Sequence, residues 1–536
     1  MRSSRRRERQ YQTLVNTNAV HTDVLVIGSG LAGLSAAWQA AQRGCAVALL
    51  TRAKDIHDSN TNLAQGGIIF RGREESPQQL VEDILAAGAG LSSRQAATLL
   101  AEEGPRLIKE ILIDELGVPF DRSPENPAEL DLTCEAGHSI PRIIHYQDRT
   151  GYAIEKAFVE RVTTHPKVKV YSSMTAVDLL TTSHHSLELT DVYRPLTCFG
   201  AYVLDQENGK IFPILAKETI LATGGLGGVF LHTTNPPDAR GDGIALAHRA
   251  GARCINLHYV QFHPTALLAP DGRFLISETV RGEGGRVVDR HGRQFMERYH
   301  PAGSMAPRDI AARAIYQTML EAGEPCVYLD ITHKPADWLR QRFPGIIALC
   351  LERGIDITRD RIPVVPAAHY SCGGIATDSW GRTNIDRLRA VGEVACTGLH
   401  GANRLASTSL LECLVWGTRA GQQACEQIQS GSEFYFPDIA DWRHEREAVD
   451  PALIAQDWLI IRHTMWNYVG LIRSERRLNR ALRILSELDL EITRFYDKCE
   501  MNDSVIGLRN GILTSLLILE SARRARESCG CHFRID

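Results

Sequence analysis

The sequence predicts an α/β fold in which a dinucleotide-binding sheet is begun, interrupted by an inserted section, completed, and followed by a helical bundle. Three observations carry that prediction. A strand, glycine-rich turn, helix and strand stand near the start; apolar strands return much later; and the end of the chain turns helical in period. At 536 residues the chain exceeds one hydrophobic core, so about three domains or subdomains are expected.

Residues 1–22 are read as a solvated, disordered basic arm: "MRSSRRRERQ" is rich in arginine and no apolar h-region follows it. No later run approaches the about 18–20 apolar residues of a membrane span. The 60 basic and 64 acidic residues nearly cancel, so no global field argues for nucleic acid or a membrane surface as partner. The thirteen cysteines include no CxxC pair, and they read as reduced thiols of a cytoplasmic protein, Cys529 and Cys531 among them.

Next comes "DVLVIGSGLAGLSAAWQAAQRGCAVALLTR". Its first strand, Val24 to Ile27, is continuously apolar, as strands buried on both faces are. Gly28 makes the tight turn, Gly30 lets backbone approach a pyrophosphate, and Gly33 lets helix pack on strand. The pyrophosphate would sit on the helix N-terminus, where amides and dipole favour an anion. After the second strand stands Thr51–Arg52 rather than the acidic residue usual for a ribose hydroxyl. Two readings follow: Arg52 meets a 2′-phosphate, or the cofactor is a flavin dinucleotide held differently at the ribose.

"KETILATGG" (217–225) reads as a strand returning to the nucleotide sheet, and "RGDGIALAHRAG" opens a helix with Asp242 between two glycines. From about Asn256 to Tyr370 the pattern mixes loops, a helix around "PRDIAARAIYQTML" and the strand "CVYLDI". "RLRAVGEVACTG" then returns as another buried strand. From about Asp441 the period is helical, with Leu478, Leu482, Ile484, Leu485 and Leu488 on one broad stripe.

Four motifs fall in order: "SNTNLAQGG" (59–67), "QFHPTAL" (261–267), "MAPRDIAAR" (305–313) and "HGANRLASTSLLE" (400–412). Together they closely resemble the succinate dehydrogenase, fumarate reductase and L-aspartate oxidase flavoprotein family, from about residue 23 to the end. The resemblance implies a Rossmann-like FAD-binding domain in two parts (23–256 and 371–440), an α+β capping domain (257–370) between them, and a C-terminal helical domain (441–536). It implies FAD, lined by Gly28, Ser29, Gly30, Leu31, Ala32, Gly33, Arg52, Asn60, Thr61, Asn62, Leu63, Ala64, Gln65, Gly66, Gly67, Asp242, Glu393, Ser409 and Leu410. Ser409 and Leu410 open a helix whose positive end would stabilise the anionic reduced flavin by about 0.5–2 kcal/mol; Ser409 also suits a plain N-cap. Membrane-complex members carry a histidine bonded to the flavin in "SHT". Here Ser59–Asn60–Thr61 cannot form that link, so a non-covalent FAD is implied.

By the same resemblance His263, Ser277, His369 and Arg404 grip the two carboxylates of a dicarboxylate, and Arg308 shuttles a proton. A guanidinium is a poor base alone, so Glu278 and Arg281 are implied as its relay. Glu135, in "LTCEAGHSIPRIIH", is the odd acid in a pocket otherwise built for anions. An aspartate substrate carries one ammonium, and a carboxylate aimed at it would bind it while repelling succinate. "EAGHS", and "HGANRLAS" rather than "HGANRLGA", resemble the L-aspartate oxidase branch. That branch implies oxidation of L-aspartate to iminoaspartate, with oxygen or fumarate as acceptor, feeding quinolinate synthesis and de novo NAD formation. Channelling to a quinolinate synthase, a monomer or weak homodimer, and a middle section closing as a lid are further expectations. No metal site is expected. A soluble fumarate reductase or succinate dehydrogenase flavoprotein is the alternative.

Overall fold

In the computed structural model, which describes residues 19–431, 433–442 and 447–536, the dinucleotide unit is complete. Strand β1 (Val20–Ile27) runs into a glycine turn and helix α1 (Leu31–Gln42), then strand β2 (Val47–Leu50). β1 already begins inside the stretch read as a basic arm, because Val20 to Thr22 pair with Ile214 to Ala216. The rest of that arm, residues 1–18, lies outside the described residues.

Helix α2 (Thr150–Thr164) leads to β3 (Val168–Tyr171) and β4 (Met174–Thr181), then β5 (Cys198–Asp205) and β6 (Lys210–Leu221). The sheet order is β3-β2-β1-β6-β5-β4. β3, β2, β1 and β6 are parallel, whereas β5 and β4 add on antiparallel. Both faces are covered, so Val24 to Val26 are fully buried and the strands read as unbroken apolar runs. Helix α3 (Asp242–Arg249) follows.

A second, wholly antiparallel sheet is built from β7 (Val260–Ala269), β8 (Gly272–Leu275), β9 (Arg286–Val288), β10 (Val327–Asp330) and β11 (Ile362–Ser371), in the order β8-β7-β11-β10-β9. A short helix, α4 (Glu278–Gly282), and the longer α5 (Arg308–Ala322) pack with it. The register of β7 on β11 shifts between Gln261 and Phe262 and again after His263. Such irregularities re-aim side chains beside active sites.

"RLRAVGEVACTG" is two strands rather than the one expected. β12 (Leu388–Ala390) pairs with β6 in the nucleotide sheet, while Ala395–Cys396 joins a small separate sheet. Gly392, at φ +70°, turns the chain between them; a Cβ there would stand 2.8 Å from Ala32 Cβ. Helix α6 (Ser409–Gln429) then lies along α1. Its Gly417 and Gly421 permit that closeness, since a Cβ on them would stand 2.6 and 2.3 Å from Ala32 O and Ala36 O.

A disulfide joins Cys45 to Cys425 beyond that crossing, which corrects the reading of all thirteen cysteines as reduced thiols. The two are 380 residues apart, a pairing that spacing alone does not disclose. Cys529 is free and half-buried, and Cys531 is free and buried. The chain ends in helices α7 (Pro451–Val469), α8 (Glu475–Tyr496) and α9 (Asp503–Arg524). Leu478, Leu485 and Leu488 of the expected stripe are buried, whereas Leu482 and Ile484 are half-buried. By length and composition α9 is apolar enough to cross a membrane, with mean hydropathy 1.3, contrary to expectation. It is also a core helix: 67% of that apolar window is buried inside the protein.

Candidate active site

One cleft of about 1830 Å³ runs from the glycine turn at the edge of the first sheet to the facing edge of the second. At one end Gly28, at φ +117°, allows the turn; a Cβ there would stand 2.1 Å from Ala222 O. A Cβ on Gly33 would stand 1.9 Å from Gly28 O, so helix α1 rests directly on the turn. Gly30 caps α1 without a side-chain hydrogen bond, and a Cβ on it would meet nothing closer than 3.4 Å. This is an open helix N-terminus suited to a phosphate.

Arg52 is not left free for a 2′-phosphate. Its guanidinium pairs with Asp238 and, at 3.1 Å, with Asp503. Asp503 also accepts from Arg240 at 3.0 Å and from Thr175 Oγ1 at 2.8 Å. That polar cluster ties α9 to the mouth of the cleft. Further in, Thr61 Oγ1 accepts from Leu31 N–H at 3.0 Å, and Ser59 Oγ accepts from the amides of Thr61 and Asn62 while donating to Glu155 at 2.6 Å. Asn60 donates to Glu393 at 3.2 Å and accepts from Asn235 at 3.2 Å. Burial pushes the Glu393 carboxyl up to about 7. Of the expected cofactor residues, all but Gly33 and Asn62 line the cleft. Gly33 is spent on packing. The Asn62 amide closes the turn on Ser59 instead.

Gln65 Oε1 is buried here without a partner among the described residues, and α6 points its N-terminus into the same space. Thr408, rather than Ser409, is the N-cap of α6, and it makes no side-chain cap hydrogen bond. Ser409 and Leu410 therefore face the cleft as the first turn, with the dipole's positive end exposed to a ligand. Open glycines, two helix N-termini facing the cleft and an orphaned amide oxygen fit an elongated, anionic dinucleotide.

At the other end the expected substrate residues converge: Glu135, His263, Ser277, Glu278, Arg308, His369 and Arg404 all line it. His263 and His369, on adjacent strands β7 and β11, stand with ring centroids 5.2 Å apart. Thr265 N–H donates to His263 Nδ1 at 3.2 Å, which places the ring proton on Nε2. Burial, reinforced by Arg308, Arg281 and Arg404, holds His263 well below the usual imidazole range. Burial with Arg404 and Arg308 does the same to His369. Both are neutral hydrogen-bond donors or acceptors, not cations.

Arg308, the first residue of α5, donates through Nε to Glu278 Oε2 at 2.5 Å and through Nη1 to Gln261 Oε1 at 3.3 Å. Glu278 Oε1 pairs with Arg281 at 3.0 Å, and Arg281 Nη1 donates to Ser304 O at 2.7 Å. Burial raises the Glu278 carboxyl, but Arg308 and Arg281 outweigh it and hold Glu278 below the usual range. The Arg404 guanidinium lies over the Tyr370 ring, 4.7 Å from its centroid, and its buried Nε has no hydrogen-bond partner among the described residues.

Glu135, 8% exposed, lines the same end, with Ser407 Oγ donating to Oε2 at 2.8 Å. Burial pushes its carboxyl up against the pull of Arg308. A bound cation would restore the ionised form.

Several lining residues were not singled out from the sequence: Thr223, Gly224, Gly225, Asn235, Tyr370 and Ser407. "ATGG" directly after the returning strand was the readable signal for the glycines. Asn235 had none, because it meets Asn60 from more than a hundred residues away; Ser407 ends "HGANRLAS", but its contact with the distant Glu135 was not readable from that motif.

Fold and cleft define a dinucleotide-binding flavoprotein with a dicarboxylate-sized polar end. The FAD binding domain profile matches residues 23–410, and that of the fumarate reductase flavoprotein C-terminus matches 460–536. An L-aspartate oxidase 1 of Ralstonia nicotianae is 44% identical, over 96% of this chain and 95% of its own length. An L-aspartate oxidase of Yersinia pestis is 42% identical over 96% of both. Among solved structures, E. coli quinol fumarate reductase superposes with TM-score 0.86 at 26% identity, covering 97% of this chain and 92% of that one. Mycobacterium smegmatis Sdh1 gives 0.79 at 30%, covering 96% and 89%. The chain belongs to the L-aspartate oxidase group of the succinate dehydrogenase and fumarate reductase flavoprotein family. Its cofactor is FAD.

Proposed function

We propose that this protein is an FAD-dependent L-aspartate oxidase, converting L-aspartate to iminoaspartate. The observation that carries the reading is a buried acid, Glu135, that lines one cavity with Arg308 and Arg404 yet, unlike Glu278, forms no ion pair with an arginine among the described residues. FAD, held by the glycine turn and the start of α6, would supply the hydride acceptor for C2 and the redox chemistry that hands two electrons to oxygen, giving hydrogen peroxide, or to fumarate.

The chain's own residues do the rest. Arg404, its Nε free, takes one substrate carboxylate through charge-assisted hydrogen bonds, and His369 stands beside it. His263 and Ser277 take the other as neutral donors. Glu135 holds the ammonium and charges a penalty to succinate, which offers no cation there. Arg308, paired through Glu278 with Arg281, lies at the reacting carbon; because C2 gives up hydride, the proton that balances the oxidation is shed by the ammonium group to water. The antiparallel middle section, read as a cap over residues 257–370, closes as a lid that excludes water. Asn60 stands where covalent relatives carry a histidine, so the flavin is held without a covalent bond, and acid precipitation should release it.

Iminoaspartate then feeds quinolinate formation, the first stage of de novo NAD synthesis, by a monomer or weak homodimer in the cytoplasm that hands its product to a quinolinate synthase. The test is anaerobic mixing of the FAD-loaded protein with L-aspartate or with succinate. L-Aspartate should bleach the flavin; bleaching by succinate alone would make the chain a soluble succinate dehydrogenase or fumarate reductase flavoprotein instead.

A further inference from the structure

We propose that Ser407 is a specificity-determining positioning residue, whose hydroxyl holds Glu135 so that one carboxylate oxygen stays free for a substrate ammonium group. The inference deepens the reading above and rests on it.

The first sign is backbone geometry. Ser407 sits at φ +56°, in the left-handed region that disfavours any side chain. Glycine would adopt that conformation without cost. A residue held there at a functional cleft points to a side chain that is needed. Its Oγ makes one side-chain contact, donating to Glu135 Oε2 at 2.8 Å.

The second sign is the state of the other oxygen. Among the described residues no donor reaches Glu135 Oε1, although the side chain is buried. Gly66 keeps the space beside it clear: a Cβ there would stand 3.2 Å from Glu135 Oε1 and 3.5 Å from Ser407 Oγ. One oxygen is thus anchored and the other waits for a donor.

The third sign is that the two loops concerned are tied a second time. His138 N–H donates to Glu135 O at 3.2 Å, and its Nε2 bonds Ala406 O at 3.0 Å. Arg142, fully buried, reaches His138 Nδ1 at 3.0 Å and is itself fixed by Glu75 at 2.6 Å and Asp83 at 2.5 Å. Arg404 lies on the same loop as Ser407. The clamp therefore fixes the spacing between the acid for the ammonium and the guanidinium for a carboxylate. A ligand with an amino group at that spacing satisfies both; one with hydrogen there leaves Glu135 facing nothing.

Ser407→Gly tests this without a folding penalty, because glycine relaxes the backbone while removing the hydroxyl. The melting temperature should stay equal or rise. On the FAD-loaded enzyme, KM for L-aspartate should increase about tenfold, the loss of one hydrogen bond to a charged group. The kcat should change less than about threefold, and the inhibition constant of succinate should not move. Combining Ser407→Gly with Glu135→Gln should add no further loss beyond Glu135→Gln. Equal shifts for L-aspartate and succinate, or no shift in either, would overturn the inference while leaving the oxidase reading intact. Failure of the unaltered enzyme to oxidise L-aspartate would overturn both.

Discussion

The two walls of the substrate cavity are unlike in both charge and construction. The arginine wall gathers Arg308 from a helix start, Arg404 from a loop, and His263 and His369 from two neighbouring strands. The acid wall is Glu135, on a loop clamped by Ser407, His138 and Arg142, apart from Glu278, which is paired with Arg308 and Arg281. In the proposed reading the first wall would accept anything with two carboxylates, whether or not an amine lies between them. The second would add nothing to that grip and would serve to choose. Catalytic power and selectivity are thereby placed on separate elements, and each can be damaged without the other.

The largest effect should come from Arg308→Leu. Removing the group at the reacting carbon should lower kcat for L-aspartate by about a thousandfold, while succinate inhibition changes far less. Steady-state kinetics with succinate as inhibitor separates the two.

Arg404→Lys keeps the charge but loses the planar fork. KM for L-aspartate and the inhibition constant of succinate should both rise, by about a hundredfold, because the buried carboxylate loses its paired donors. A rise for one ligand only would break the separation of the walls.

A smaller change is expected from Tyr370→Phe. Tyr370 donates to Glu412 at 2.8 Å and meets His400 at 3.2 Å, so the ring under Arg404 is pinned at its far end. The phenyl ring preserves the cation–π contact but frees the pin, and KM should rise about fivefold for both ligands. Tyr370→Leu should exceed that.

The smallest effect is a flat one. His263 and His369 are held well below the usual imidazole range, so no wall histidine gains a proton between pH 8 and 6.5. Succinate inhibition should be level across that window; a steady tightening as pH falls would show a protonated histidine. Linkage gives the companion sign. A histidine whose folded pKa is lowered takes up a proton on unfolding below its unfolded value of about 6.5, so stability is lost as pH falls through it. His138 and His232, lowered by burial to about 4, act the same way. The melting temperature should fall from pH 7 to 5.5.

The nucleotide end was legible because its reasons are local. Gly28, Gly30 and Gly33 act through backbone geometry within one turn, and that geometry is written in their spacing. The substrate end is assembled from side chains far apart in sequence, and only the resemblance of whole motifs pointed to it. Residues outside those motifs stayed hidden: Asn235, which reaches Asn60, and the Cys45–Cys425 bridge from the turn after α1 to α6. Where "RLRAVGEVACTG" was read as one strand, Gly392 divides it in two. The hydrophobic pattern alone could not reveal a turn made by a single left-handed glycine.

Substituting Glu135→Gln puts the division between the walls to its sharpest trial. Anaerobic flavin reduction by L-aspartate, measured beside succinate binding, should slow by about a hundredfold in kcat/KM while succinate binds as well as before or more tightly. If the variant still favours the amino acid over its deaminated counterpart to the same degree as the unaltered enzyme, the acid wall does not choose the substrate and the account is wrong.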